Sequence, residues 1–230
     1  MTGSDRACTF LGNEEGSPPM KLYDTPLAPN PRRVRWFMAE KGIDDVEVVT
    51  LNIIEGQHKT PEYLRKAGLA NVPMLELDDG TCITESVAIC RYLESRYPEP
   101  NLFGRTPEET AVIEMWTRRA EMLVATPLML GVRHTHPMMG KLEQQNPQVG
   151  EYNLQAALKA LKVLDRRLGE SEWLAGERLT IADIVAFVGL DFGRMIKLKP
   201  PEELKNVGRW AEAMRARPAA AAGMPQKAPA

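Results

Sequence analysis

Residues 72 to 86 read Val72-Pro73-Met74-Leu75-Glu76-Leu77-Asp78-Asp79-Gly80-Thr81-Cys82-Ile83-Thr84-Glu85-Ser86. Met74 to Leu77 has a strand pattern, Asp79-Gly80 is a hairpin signal, and Thr81 to Ile83 returns. Ser86 to Tyr97 then reads as a helix, with Ile89 and Leu93 on one face and Pro98 as its stop. Pro73 donates no backbone hydrogen bond to a sheet. Taken alone it is a trans proline at a strand start, since only ~5–6% of X-Pro bonds are cis. In the cis form it turns the backbone of Val72 outward, where a peptide-like ligand can pair as an added strand. Glu85-Ser86 divides in the same way. It is either a helix start favoured by capping and the dipole, or a receptor for an amino-acid head. In the second reading the helix-start amides and the Ser86 hydroxyl meet a carboxylate, and Glu85 meets an ammonium.

Upstream, Lys21 to Asp24 reads as a short strand and Arg32 to Lys41 as a helix stopped by Gly42. Val46 to Ile53 is rich in β-branched residues and reads as a strand, and Pro61 to Ala67 as a short helix. Residues 20–98 thus run β-α-β-α-β-β-α, one α/β domain. Residues 1–19 lack periodicity and are expected to be a disordered extension. Residues 99–106 read as a linker, after which the strand signal vanishes. Thr106-Pro107-Glu108-Glu109 is a capping box opening a long helix. Asn146-Pro147 opens another, with Leu154, Leu158, Leu161, Leu164 and Leu168 facing inward. Thr180-Ile181-Ala182-Asp183 is a second capping box, and Glu202 to Arg217 reads as a last helix. Residues 107–218 are therefore an all-α domain, and 219–230 an Ala/Pro-rich tail expected to be disordered.

The 230 residues carry a net charge of −2, so no basic field draws the chain to nucleic acid. No apolar run approaches the ~20 residues of a membrane span, and the first residues lack a signal-peptide plan. Three cysteines, Cys8, Cys82 and Cys90, form no framework, which points to a reducing, cytoplasmic setting. His134 and His136, two apart on a helix, face different ways, so a metal pair is rejected.

Residues 20 to about 217 resemble the cytosolic glutathione S-transferases. The resemblance rests on the Val72-Pro73 step, Glu85-Ser86 twelve residues on, and the Thr180-to-Asp183 box. Gly56 to Leu64 is also similar to a stretch of the phi-like classes, and Asn71 stands where a Gln or Lys is common. The family implies a thioredoxin-like domain before the helical one, glutathione as cosubstrate, an apolar electrophile as second substrate, and a homodimer. In that family His58, Lys59 and Asn71 would hold the glycine end of glutathione. Val72 and Pro73 would serve its peptide, and Glu85 and Ser86 its γ-glutamyl head.

One departure concerns the sulfur. The position usually held by a catalytic Ser falls on Ala28, which has no side-chain donor. Asn30 matches the Thr-Pro-Asn pattern of Nu-like classes, with Ala28 replacing its Thr, and is the best remaining donor; Thr25 is a weaker one. Asn30 also reads as an ordinary turn residue before Pro31. The expected activity is activation of the glutathione thiolate for attack on a hydrophobic electrophile, with the electrophile near Met115, Met122, Met129 and the final helix. The alternatives are glutathione-dependent disulfide or peroxide reduction, and glutathione binding without turnover.

Overall fold

The computed structural model describes residues 20–224; the expected extension at 1–19 and the residues from 225 on lie outside them. The first strand, β1 (Lys21–Asp24), is followed by α1 (Pro29–Lys41), β2 (Glu47–Thr50) and α2 (Pro61–Ala67). The hairpin β3 (Met74–Glu76) and β4 (Cys82–Thr84) leads into α3 (Ser86–Arg96). The sheet order is β2-β1-β3-β4, with β1 parallel to β2 and the other pairs antiparallel. This is the thioredoxin-like arrangement. Its hairpin turn forms as the Asp79-Gly80 pair dictates: Asp79 Oδ1 accepts from the Thr81 N–H at 2.8 Å, and Gly80 sits at φ 84°. The Val72–Pro73 peptide is cis, not the trans form expected of the proline taken alone.

Strand β2 stops at Thr50 instead of running to Ile53. Asn52 Oδ1 takes the N–H groups of Ile54 and Glu55 at 3.1 and 3.3 Å, a local turn that competes with a ladder. Helix α1 begins three residues earlier than expected, with Ala28 as its cap and Pro29 at its first position.

The helical half comprises α4 (Pro107–Arg119), α5 (Thr126–Thr135), α6 (Pro147–Glu170), α7 (Ile181–Phe192) and α8 (Lys205–Arg215). Between α4 and α5 the chain stays helical through a π segment, Ala120–Ala125. Pro127 comes two residues after it. A proline ring collides with the carbonyl four residues back and removes one hydrogen bond; a widened turn relieves both. Thr106 caps α4, Asn146 caps α6, and Thr180 with Asp183 forms the capping box of α7. Helix α8 starts at Lys205, later than expected. Its cap is supplied by Asp165 of α6, whose Oδ1 accepts from the N–H groups of Asn206 and Val207, both at 2.9 Å.

The two halves share one core. Trp36 of α1 packs edge-on against Phe187 of α7 at 5.3 Å, and Phe187 against Trp210 of α8 at 5.9 Å. Buried Arg32 reaches across to buried Asp191 at 2.6 Å. The connection between the halves is not loose. Leu102 and Phe103 are buried, Glu94 holds the Leu102 N–H at 3.0 Å, and Arg178 donates to Asn101 and Glu109. Nor is the expected tail free at its start. Ala219 is buried, Arg32 donates to the Ala220 carbonyl at 3.1 Å, and the Leu27 N–H meets the Gly223 carbonyl at 3.4 Å.

Candidate active site

A cleft of about 530 Å³ lies between the halves. That is within the size range of small-molecule sites. From the first domain it is lined by the loop Thr25 to Pro31, by His58 and Lys59, and by Asn71 and Val72. Six of the expected site residues therefore face one space: Thr25, Asn30, His58, Lys59, Asn71 and Val72. Pro73, Glu85 and Ser86 lie outside its lining. Pro73 is buried behind Val72, Ser86 is buried at the start of α3, and Glu85 is exposed.

His58 and Lys59 sit on a single 3-10 turn, Gln57–Lys59. Gln57 anchors it by accepting from the Asn52 N–H at 2.6 Å. His58 is buried, Lys59 exposed. Burial, and secondarily the charge of Lys59, push the His58 imidazole below its usual pKa. It is therefore neutral at pH 7, and Lys59 carries the positive charge. His58 Nδ1 is buried without a partner. Asn71 is held from behind by Tyr63, whose hydroxyl donates to the Asn71 carbonyl at 2.5 Å. Burial raises that phenol to about 12, so it remains a donor at any physiological pH.

At α3 the turn residue Glu85 adopts φ 68°, ψ 114° and makes no side-chain cap bond. A non-glycine residue at positive φ is held there against a backbone preference. Ser86 Oγ accepts from Arg33 Nη1 at 3.3 Å, and the same nitrogen donates to Glu121 at 3.1 Å. Arg33 is 1% exposed, and its Nε and Nη2 are buried without partners. Because Ser86 accepts from Arg33, its own hydrogen is left to donate elsewhere.

The loop at α1 is sparse in donors. Ala28, Pro29, Asn30 and Pro31 occupy the cap and the first three positions. Prolines at two of those three leave Asn30 with the first-turn N–H. The first turn of α1 therefore offers a single backbone donor, since the Arg32 N–H is already bonded to the Ala28 carbonyl. Asn30 Oδ1 is buried without a partner, and the residue lines the cleft. Tyr23 turns away, as strand alternation requires, and donates to Glu76 at 2.7 Å.

The opposite wall comes from the helical half: Thr126, Met129, Leu130 and Arg133 of α5, the turn carrying Met138 and Met139, and Phe192 with Met195. Of the three methionines expected there, only Met129 lines the cleft. Met115 and Met122 are exposed on another face, and α8 contributes nothing to the lining. The 138–142 segment is tied back by Arg133 Nε to Glu143 at 2.7 Å and by Gln145 to the carbonyls of Arg133 and His136. Sequence reasoning also missed Arg33 and Tyr63. Arg33 was detectable, since it stands four residues before core Phe37, on the inward face of α1. Among the described residues no His/Cys/Asp/Glu group is arranged to hold a metal ion, and Cys82 and Cys90 lie off the cleft.

The glutathione S-transferase N-terminal domain model matches residues 18–95, and the corresponding C-terminal domain model matches 122–218. Glutathione S-transferase 2 of Saccharomyces cerevisiae is 38% identical over 212 residues, which is 91% of each chain. The crystal structure of Gtt2 from the same yeast superposes with a TM-score of 0.81 at 38% identity, covering 86% of this chain and 97% of that one. A glutathione S-transferase-I solved with lactoylglutathione bound aligns at 26% identity and a TM-score of 0.72, over 88% of this chain and 96% of that one. Fold, cleft and relatives agree that the chain belongs to the glutathione S-transferase family.

Proposed function

We propose that the cleft binds reduced glutathione and activates its sulfur for transfer to an apolar electrophile. The observation that carries this reading is the cleft itself. It sets His58, Lys59, Asn71 and Val72 on one side of the Thr25-to-Asn30 loop and an apolar wall around Met129 and Met195 on the other. The glycine carboxylate meets the Lys59 charge and a neutral donor from His58. The peptide pairs with the backbone of Val72. The γ-glutamyl carboxylate takes the Ser86 hydroxyl, oriented by Arg33, and the uncapped amides at the start of α3. Glu85 takes the ammonium.

A free thiol of this kind sits near pKa ~8.5, and a drop of about two units requires ~2.7 kcal/mol of preference for the anion. A hydrogen bond to a charged group supplies roughly 1.5–3 kcal/mol. The Asn30 N–H and Nδ2 are then sufficient, even with Ala28 in place of a hydroxyl donor. Cys82 and Cys90 lie outside the cleft lining, so the described cysteines offer no partner for a protein–glutathione mixed disulfide.

Calorimetry with glutathione and a conjugation assay with a chloronitroaromatic test the proposal. Ser86→Ala is expected to weaken glutathione binding about tenfold with little change in kcat. Asn30→Ala is expected to lower kcat at least tenfold and leave glutathione affinity within twofold. No binding at millimolar glutathione overturns the whole reading, and an unchanged kcat in Asn30→Ala removes that residue from it. Reduction of a mixed disulfide without conjugation moves the activity to the reductase class.

A further inference from the structure

The chain after α8 runs back along α1. Arg217 holds Glu40, near the end of α1, through Nε at 2.6 Å and Nη2 at 2.7 Å. Ala219 is buried, and the next carbonyl, that of Ala220, accepts from Arg32 Nη2 at 3.1 Å. The Gly223 carbonyl then accepts from the Leu27 N–H at 3.4 Å. As the chain advances from 217 to 223, its partners step back from 40 through 32 to 27. The segment is a strap laid along α1, and its last anchor is the loop that carries Asn30.

Both ends of that last anchor are unusual. Leu27 has φ 68°, a region that is costly for a residue with a side chain and persists only where the surroundings impose it. The Leu27 side chain does not impose it, being 48% exposed. The bond to Gly223 is the one hydrogen bond that Leu27 makes among the described residues. Gly223 has φ 72°, and a Cβ there would lie 3.2 Å from the Arg32 Cα and 3.3 Å from the Arg35 Cβ. Glycine is thus required twice, by the backbone conformation and by the close approach to α1. Leu27 lines the cleft and directly precedes Ala28, the cap of α1. A Leu27 that relaxes from positive φ displaces Ala28, Pro29 and Asn30 with it.

Taking the cleft as the glutathione site, as proposed above, we infer that Gly223 is a positioning residue for sulfur activation. Its carbonyl holds Leu27 in the left-handed conformation, and that conformation fixes where Asn30 meets the thiolate. The end of the helical half thereby reaches across to set the loop of the first domain.

Amide exchange at Leu27, read by NMR on the full chain without glutathione, tests the strap. The wild-type amide should exchange at least tenfold more slowly than in an unstructured peptide, and Gly223→Val should remove that protection. The ultraviolet absorbance of bound glutathione thiolate against pH tests the consequence. Gly223→Val should raise the pKa of the bound thiol and lower kcat at least fivefold, with KM for glutathione within twofold. A purely structural role of the strap would leave the thiol pKa where it was. Glycine adopts positive φ freely, so in a Leu27→Gly background the same Gly223→Val change should alter kcat less than twofold. An unprotected Leu27 amide in the wild type overturns the inference. So does a Gly223→Val variant with wild-type thiol pKa and kcat, or an equal loss of kcat in both backgrounds. A wild type that binds no glutathione overturns the earlier reading and the thiol role with it, while the exchange of Leu27 still decides the strap.

Discussion

At the scale of single residues, the site is governed by what each side chain has already been given. Asn30 holds the first-turn N–H of α1 because prolines flank it, and this was readable in Pro29-Asn30-Pro31 once the helix start was placed at Ala28. Ser86 is oriented by a buried arginine 53 residues away, and no local spacing announces that. His58 carries a pH dependence. Its folded pKa is lowered by burial and then by Lys59, so below about pH 6.5, the usual histidine value, the unfolded chain takes up the proton more readily and stability is lost. A glutathione carboxylate placed beside the ring, as proposed, would reverse that preference. Binding of S-methylglutathione, which has no thiol proton to release, should therefore take up protons near pH 6, measured as a dependence of calorimetric enthalpy on buffer ionisation heat. His58→Gln should abolish the uptake. A wild-type enthalpy independent of buffer at pH 6 removes His58 from the carboxylate contact.

At the scale of elements, the fold was legible wherever prolines, glycines and caps punctuate the chain. Pro61 to Ala67 and the starts of α3, α4, α6 and α7 follow from such signals directly. The misplacements have physical causes that lie elsewhere in the chain or in rarer local geometry. The cap of α8 comes from Asp165 on another helix. Met115, Met122 and Met129 share a face of a regular helix, being seven apart. The π segment Ala120–Ala125 inserts extra residue width, and each such insertion rotates the downstream helix by roughly 100°. Met129 accordingly enters the cleft while Met115 and Met122 stay outside.

The capping box of α7 yields a stability prediction. Buried Asp183 accepts from the N–H groups of Leu174 and Thr180, the Thr180 hydroxyl and the Trp210 indole, at 2.9–3.0 Å. Asn at this position has one acceptor oxygen, and its NH2 points at donors. Each stranded buried donor costs about 1–3 kcal/mol. Asp183→Asn should lose roughly 3 kcal/mol or more in denaturant unfolding; a loss below 1 kcal/mol contradicts this account.

At the scale of the whole molecule, the two-part pattern was legible but the joint was not. The apolar run Ile184 to Leu190 of α7 announces a buried helix without naming what buries it. The Arg32–Asp191 pair is one answer. Burial alone would raise the Asp191 pKa, but Arg32 and Arg194 more than offset it and hold the carboxyl below its usual range. A lowered carboxylate pKa contributes stability above the unfolded value of ~3.9, and that contribution fades as pH falls through the folded value. Arg32→Met leaves a buried carboxylate with only exposed Arg194, a change of about 3 kcal/mol at pH 7. The gap between wild type and Arg32→Met in urea unfolding should shrink as pH drops below about 4. A gap that is constant from pH 7 to 3 contradicts an electrostatic origin.

The edge-on contact of Trp36 with Phe187 has a consequence for how such chains can be recombined. A crossover placed at the apparent boundary near residue 100 would pair this chain's first half with a foreign helical half. The new protein would have to fit Trp36 against whatever replaces Phe187, and Arg32 against whatever replaces Asp191. Exchange of halves between relatives should therefore succeed only when those facing positions travel together.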